Sequence, residues 1–187
     1  LNAAFVSYGA AKQGFLTADN VHPKYASVDD PPLRIQDRLR PGQEILVQIE
    51  QDEVGSKGAV LSTYLSLAGR YLVIMPDSPT HGVSHRIDDE EEREKMRDLV
   101  RVLERPENVG VIIRTAGQDR TKADLNRDIK HLLKLWETIQ KKAEHAKTPS
   151  LLFKEQDIII RSLRDYLAND VDEVILDSDD AFDRARE

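Results

Sequence analysis

One stretch of the sequence constrains the fold more than any other: an uncharged run of β-branched residues and glycine that leads into a long helical pattern. Residues 109–113 (VGVII) carry no charge and are followed by Arg114. Such a run predicts a buried strand. Apolar residues then recur at steps of three, four and seven from about Arg120 to Ala146, which predicts an amphipathic helix with the inward stripe Leu125, Ile129, Leu132, Leu133, Trp136, Ile139 and Ala143. A strand and a helix of this kind pack together in an α+β unit.

The end of this strand has the chemistry of an anion site. Arg114 presents a planar fork of five donors that suits two phosphate oxygens. Thr115 adds a hydroxyl, and the turn at Ala116 and Gly117 allows backbone N–H groups to face an anion. One interpretation of these residues is that Arg114 is free to receive such an anion. The alternative, which is the commoner one for an arginine at a strand end, is that Arg114 pairs with a carboxylate of its own protein and Thr115 caps the turn.

Composition limits the classes of protein to consider. Hydrophobic residues make up 40% of the 187 residues, enough for one large or two small folded domains, and no apolar run approaches membrane-spanning length. The absence of cysteine excludes a disulfide framework, a thiolate zinc site and a cysteine nucleophile, and makes a cytoplasmic setting the expectation. The net charge of −7 argues against nonspecific nucleic-acid binding over the whole surface. Because the acids cluster at 88–94 and 170–183, the net charge is still compatible with a positively charged face elsewhere on the surface.

The first third of the chain is predicted to consist of short strands. Residues 1–20 contain apolar pieces broken by glycine, which indicate two strands with a tight connection. Residues 21–34 hold three prolines and predict an exposed loop. Residues 44–50 and 59–63 predict a second strand pair. Short strands and a long polar loop resemble the later part of a five-stranded OB-type barrel.

Three residues of this part have two interpretations each. Phe5 and Phe15 are aromatic residues on adjacent strands, which either pack in the core or stack on bases. Taken singly, core packing is the commoner outcome. Lys57 stands between glycines, so it is either a solvated hairpin lysine, the commoner case, or a residue that lies along a phosphate backbone.

The middle and the end of the chain add further elements. Gly69 marks a turn before a fully apolar strand that stops at Pro76. Asp88 or Asp89 is predicted to cap a helix whose carboxylate-rich first turn is solvated and carries no chemistry. After a break at 148–150 we expect a helix at 156–167, a short strand at 171–176 and a terminal helix. The chain begins without methionine, and we expect it to be an internal part of a longer protein.

Several segments together resemble a known family. The segments are AAFVSYGAAKQGFL, GSKGAVLSTYLSLAGRYLVIMP, GVSHRI, IIRTAG and LLKLWETI, and their order and spacing are similar to those of bacterial ribonucleases of the E/G family. The resemblance covers nearly the whole chain and is weakest at 21–34 and at the acidic end. It implies an α+β fold with a partial OB-type β-barrel at 1–63, the later part of an S-one-type RNA-binding module. Residues 64–157 would form a small α/β domain that senses the 5′-phosphate of RNA, and 158–187 the start of a second ribonuclease-H-like segment.

The same resemblance implies roles for individual residues. Arg114 and Thr115 match the positions that hold the terminal phosphate of the RNA, and this match makes an unpaired Arg114 the expectation. Gly69 and Val73 match positions that abut the terminal nucleotide from the neighbouring strand.

A second group of residues matches positions that contact RNA elsewhere. Phe5, Phe15 and Lys57 match RNA-contacting positions of the S-one-type module. Arg86 matches a basic position near the sensor, but His85 stands where some members have another arginine.

The resemblance also implies the activity of the parent protein. The parent would be a single-strand-specific endoribonuclease of mRNA decay and of rRNA and tRNA processing, often a homotetramer, with catalytic aspartates that bind Mg²⁺ beyond Glu187. We therefore expect this chain to contain no catalytic residue and no metal site, and to bind single-stranded RNA with a 5′-monophosphate without cutting it. The alternative is a stand-alone nucleic-acid-binding or interaction module in which Arg114 is structural.

Overall fold

The computed structural model describes residues 2–25, 34–155, 158–167 and 171–186. Two four-stranded sheets and several helices confirm the α+β class. The strands are β1 (Ala3–Val6), β2 (Gly14–Thr17), β3 (Gln48–Gln51), β4 (Val60–Ser62), β5 (Leu67–Ala68), β6 (Leu72–Pro76), β7 (His81–Val83) and β8 (Val109–Ile113). The α-helices are α1 (Ile35–Arg38), α2 (Glu90–Arg101), α3 (Lys122–His145), α4 (Ile158–Tyr166) and α5 (Asp179–Arg186), and short 3-10 helices span Ala18–Asn20, Pro23–Tyr25 and Thr115–Gly117.

The first sheet has the strand order β1-β2-β4-β3. β1 and β2 form the predicted antiparallel pair, in which Phe5 is opposite Phe15. β2 then runs parallel to β4, with Phe15 opposite Val60. A small core of Leu16, Val21, Ala59 and Leu61 lies against this sheet. Among the described residues the sheet is open and does not close into a barrel, so the OB-type assignment stays a prediction.

The second sheet has the order β5-β6-β8-β7. β6 runs antiparallel to β8, with Leu72 opposite Ile113, whereas β7 runs parallel to β8. The start of β6, the end of β7 and the end of β8 therefore meet along one edge. We call residues 69–71, 84–86 and 114–117 the Arg114 edge.

Both long helices begin at a side-chain cap, and the cap of α2 is one of the two predicted residues. The Asp89 side chain accepts a hydrogen bond from the backbone N–H of Glu92 at the start of α2. Thr121 and Asp124 form a capping box at the start of α3. The inward stripe of α3 from Leu125 to Ile139 belongs to the main core with β6 and β8, whereas Ala143, predicted to face inward, is exposed. None of the described helices combines the length and apolarity needed to cross a lipid bilayer.

The predicted strand at 171–176 is wrong. These residues have no strand pairing, and five of the six are exposed; Ile175, for example, is 83% exposed. A strand requires a neighbouring strand for its hydrogen bonds, and none lies beside this segment in the part of the chain that the structure describes. The predicted helix at 156–167 is confirmed as α4, although residues 156–157 lie outside the described residues.

The two sheets are joined through His22. Its backbone N–H donates to Thr63 Oγ1 at 2.6 Å, and its Nε2 is 2.9 Å from the carbonyl oxygen of Asp77. Lys24 forms an ion pair with the Asp77 carboxylate at 2.6 Å, and the His22 ring packs edge-on against Tyr64. The loop after β2 is thus hydrogen-bonded both to the end of β4 and to the end of β6.

Candidate functional site

Arg114 leaves the end of β8 and is held by the turn between β5 and β6. Its Nη1 donates to the carbonyl oxygen of Gly69 at 2.6 Å and lies 3.4 Å from that of Arg70. Its backbone N–H donates to the carbonyl oxygen of Tyr71 at 2.8 Å. The side chain is 27% exposed, so water still reaches the guanidinium.

The fork of Arg114 holds a carboxylate of α4. Nη1 is 2.9 Å from Asp165 Oδ1 and Nη2 is 3.0 Å from Asp165 Oδ2, a bidentate pair. The hydrogen bond from Arg114, with help from Arg164, lowers the pKa of Asp165 to about 2. The expectation that Arg114 is unpaired is therefore wrong. The reason is that α4 packs on the Arg114 edge and brings in an acid 51 residues away along the chain.

Further hydrogen bonds hold α4 in place. Arg164 donates to the carbonyl oxygen of Ala68 at 3.1 Å and to Glu155 at 3.2 Å. Arg70 donates to the carbonyl oxygen of Leu167. Arg164 Nε also lies 3.0 Å from Asp165 Oδ1. Asp165 is thus shared between two arginines and does not depend on Arg114 alone.

Two more arginines near this edge contact one aromatic ring. The guanidinium carbons of Arg70 and Arg120 lie 5.3 and 5.2 Å from the centroid of the Tyr71 ring. These distances are typical of cation–π contacts. Together with Arg114 they give the edge a concentration of positive charge in a chain whose net charge is −7.

The other residues predicted for the 5′-phosphate site lie at or near this edge. Thr115 is exposed and begins a single 3-10 turn. Gly69 is buried in the β5–β6 turn, next to Arg114. Val73 is half-buried on β6, opposite Ile112. The structure therefore brings Arg114, Thr115 and Gly69 together, and places Val73 one strand inward.

Val73 and Gly69 also face an open groove of about 1770 Å³ that runs between the two sheets. Asp128, Trp136 and Arg164 line other parts of it. Neither Arg114 nor Thr115 belongs to the residues that line this groove. Hence the guanidinium of Arg114 lies outside the groove, at the surface, where α4 covers it.

Arg86 follows β7 and is exposed, as is the neighbouring His85. Because Ser84 N–H donates to the carbonyl oxygen of Ile113 at 2.8 Å, the segment that carries Arg86 comes out on the same edge as Arg114. This placement agrees with a basic position near the predicted phosphate site.

The phenylalanine pair lies on the first sheet. Phe5 is 69% exposed, so it is not part of the core. Its ring centroid is 5.9 Å from that of Phe15, at an interplanar angle of 59°. Lys57 is exposed in the turn before β4, three residues from Val60, the partner of Phe15. An exposed ring supported by a second ring is a surface on which a base can stack.

Sequence reasoning missed two acids of this site, Asp128 and Asp165. Asp128 carried a readable signal, since it lies three residues after Leu125 and one before Ile129, on the apolar face of α3. A carboxylate on an inward face needs a partner. Asp165 carried no such signal because α4 is amphipathic and charged residues are common on its outer side.

The described residues contain no group of three or more imidazole, carboxylate or thiol side chains arranged to hold a metal ion. The donor set at the Arg114 edge consists of guanidinium groups and amides, with carboxylates that are paired to them. These residues do not fit a magnesium site.

Comparison with known proteins identifies relatives over the whole chain. The sequence model of the Ribonuclease E/G family matches residues 66–187. Ribonuclease E of Escherichia coli (strain K12) is 42% identical over 192 residues, and that of Haemophilus influenzae is 41% identical over 191 residues. Ribonuclease G of Haemophilus influenzae is 33% identical over 193 residues. Each alignment covers 100% of this chain, but only 18%, 20% and 39% of the respective relatives.

Proposed function

The chain belongs to the ribonuclease E/G family, and we propose that it is the part of a single-strand-specific endoribonuclease that grips RNA and senses a 5′-monophosphate. The fork of Arg114 is the observation that carries this proposal. It holds two oxygens of one anion, at 2.9 and 3.0 Å. A guanidinium binds phosphate oxygens in the same bidentate arrangement, so a terminal phosphate fits where the Asp165 carboxylate now lies.

Binding of the RNA end is then an exchange of anions. A terminal phosphate carries roughly −1.5 to −2 charges near neutral pH, against −1 for a carboxylate, and offers three acceptor oxygens. Thr115, the next residue in the chain, is exposed, and its hydroxyl would add a donor. Asp165 already contacts Arg164 Nε at 3.0 Å and is 21% exposed, so once displaced from Arg114 it would have a second partner and access to water.

The exchange also accounts for selectivity between RNA ends. A 5′-hydroxyl brings no anion and cannot displace Asp165. A triphosphate brings more charge and bulk than one fork and one hydroxyl can surround, so it is excluded. The monophosphate alone matches the site in charge and in size.

The first sheet supplies the contact with the body of the strand. Phe5, supported by Phe15, offers a ring on which an unpaired base stacks, and Lys57 offers a cation for the backbone. Each phosphate that is neutralised releases counterions, so binding weakens as salt is added.

The activity of the whole parent belongs to this proposal as well. We infer cleavage of single-stranded RNA in mRNA decay and in rRNA and tRNA processing, in the cytoplasm, by a homo-oligomer that uses Mg²⁺. When bound, Mg²⁺ would polarise the scissile phosphate and activate water. The described residues of this chain contain no cluster of side chains that would hold it.

A titration of the chain with two RNA oligonucleotides of one sequence tests the sensing role. One carries a 5′-monophosphate and the other a 5′-hydroxyl, and fluorescence anisotropy reports both affinities. We expect tighter binding of the monophosphate form, and equal affinities would remove the assignment. Arg114→Lys keeps the charge but loses the fork, so the preference should fall sharply while the fold is retained.

The Arg114–Asp165 pair supports a second candidate, in which Arg114 is structural and the chain binds RNA without regard to its end. In that case Arg114→Lys lowers the thermal midpoint and leaves the ratio of the two affinities at one. The two candidates therefore differ in the affinity ratio of the wild-type chain, before any substitution is made.

A further inference from the structure

Three consecutive peptide units of the β5–β6 turn point their N–H groups at one carboxylate of α3. Asp128 Oδ1 accepts from Arg70 N–H at 3.2 Å. Asp128 Oδ2 accepts from Tyr71 N–H at 2.8 Å and from Leu72 N–H at 3.2 Å. No other described side chain accepts three consecutive backbone N–H groups.

The carbonyl oxygens of the same three peptide units face Arg114. The Gly69 oxygen lies 2.6 Å and the Arg70 oxygen 3.4 Å from Nη1 of Arg114, and the Tyr71 oxygen accepts from its backbone N–H at 2.8 Å. The turn thus lies between an anion and a cation. Its peptide dipoles are aligned with both, since their positive N–H ends meet the carboxylate and their negative C=O ends meet the arginine.

Two glycines allow the elements around this turn to pack closely. A Cβ atom on Gly69 would lie 2.5 Å from Asp128 Oδ2 and 2.7 Å from its Cγ. A Cβ atom on Gly117 would lie 2.6 Å from the carbonyl oxygen of Tyr71. Both glycines therefore permit the close approach that brings carboxylate, turn and Arg114 into one stack.

From this geometry we propose that Asp128 is a positioning residue for the anion site, which acts on Arg114 through the β5–β6 turn. Its carboxylate fixes the three peptide units, and their carbonyl oxygens hold one side of the guanidinium. The fork then meets an incoming phosphate without first losing conformational freedom. The inference rests on the proposed function and names a residue that touches neither Asp165 nor the RNA end.

The direction in which a substitution changes the affinity distinguishes a positioning role of Asp128 from a purely electrostatic one. Asp128→Asn has nearly the same shape, but it removes a negative charge close to a site for anions. If Asp128 acted only through its electrostatic field, the variant would bind the 5′-monophosphate more tightly. If it positions Arg114, the variant binds more weakly, because an asparagine has one oxygen for three N–H groups and its own NH₂ faces one of them.

We expect Asp128→Asn to lower the affinity for 5′-monophosphorylated RNA by about tenfold, which corresponds to the loss of one charge-assisted hydrogen bond. The affinity for 5′-hydroxyl RNA should not change, since the first sheet is untouched. Glu137→Gln is the matched control, because it removes a charge from an exposed position of the same helix and should alter neither affinity. Unchanged or tighter binding of the monophosphate form by Asp128→Asn overturns the proposal, as does an equal loss for both RNAs.

A readout without RNA keeps this test separate from the proposed function. In Asp128→Asn, NMR should show faster amide exchange at Arg70, Tyr71 and Leu72, and shifted or broadened guanidinium signals of Arg114. If the wild-type chain does not prefer the monophosphate, the sensing role fails. The NMR signals still test the positioning role in that case, because unchanged guanidinium signals in Asp128→Asn would refute it. Should Asp128→Asn not fold, Asp128→Glu decides, since it keeps the charge but shifts the carboxylate by one methylene and should disturb the same signals.

Discussion

Because the Asp165 carboxylate occupies the fork of Arg114, we predict that Asp165→Asn raises the affinity of the chain for a 5′-monophosphate. In the wild-type chain an incoming phosphate has to displace Asp165 from Arg114. The variant keeps the shape of the side chain and removes the competing charge. Its amide oxygen still accepts one N–H of Arg114, but its NH₂ group cannot accept the second, so the bidentate pair is lost.

The size of the effect follows from the pKa of Asp165. The pKa is lowered from 3.8 to about 2, which corresponds to about 2 kcal/mol of interaction with its partners. Both side chains of the pair are partly exposed, at 27% and 21%, so solvent screening removes part of this energy. Since Arg164 contributes a share and the amide retains one bond, we expect a gain of about 1–2 kcal/mol, or about five- to thirtyfold in affinity.

Fluorescence anisotropy with the two RNA forms measures this gain. The affinity for the 5′-monophosphate should rise and that for the 5′-hydroxyl should stay constant, so the ratio itself increases. Asp180→Asn is the matched control, because it removes one charge from an exposed ion pair with Arg184 on α5. An Asp165→Asn variant that binds the monophosphate no better than wild type would refute the exchange of anions.

Three further predictions concern stability, pH and the first sheet. Gly69→Ala should destabilise the fold by about 1–3 kcal/mol in thermal unfolding, because its Cβ meets the Asp128 carboxylate at 2.5 Å, whereas Gly82→Ala, with open space around it, should change little. The pKa of Asp165 is lower in the folded protein than its ordinary value of 3.8, so the stabilisation by its ion pairs is present above about pH 4 and is lost as the pH falls towards 2; unfolding measured between pH 5 and 2 should show this loss in the wild type and not in Asp165→Asn. Phe5→Ala should weaken RNA binding by about 1–3 kcal/mol for both RNA ends with little change in thermal midpoint, and a large loss of stability would show that the ring is structural.

Local sequence signals were sufficient for the elements that form the second sheet. The uncharged run at 109–113 is β8, and the apolar stripe after it is the buried face of α3. Asp89 and Thr121 cap the two long helices. These features depend on neighbours within a few residues, so the sequence carries the information directly.

Features that depend on distant packing could not be obtained in this way. The sequence left two outcomes for Arg114, free or paired, and only the position of α4 decides between them. The segment 171–176 has the composition of a strand but no neighbouring strand in the described structure. Periodicity tells which face of an element is buried, whereas the identity of the partner across that face comes from tertiary structure.

The candidate site was predicted in part. The residues quoted for it do converge at one edge, with Gly69 against Arg114 at 2.6 Å and Thr115 next in the chain. The close packing of Gly69 against the Asp128 carboxylate was not predictable, because Asp128 lies on another element, 59 residues further along the sequence. Whether these residues bind a phosphate stays a prediction.

The contacts of His22 with Thr63 and Asp77 have a consequence for how RNA length is read. They connect the sheet that carries Phe5 to the sheet that carries Arg114. Under the proposed function, a strand that stacks on the first sheet would present its terminus to the second at a raised effective concentration. The gain from the terminal phosphate then multiplies the affinity only for RNA long enough to span both places. Shorter oligonucleotides would bind to one sheet or the other with the separate, weaker affinities. The affinity of the chain would then depend on the length of the RNA.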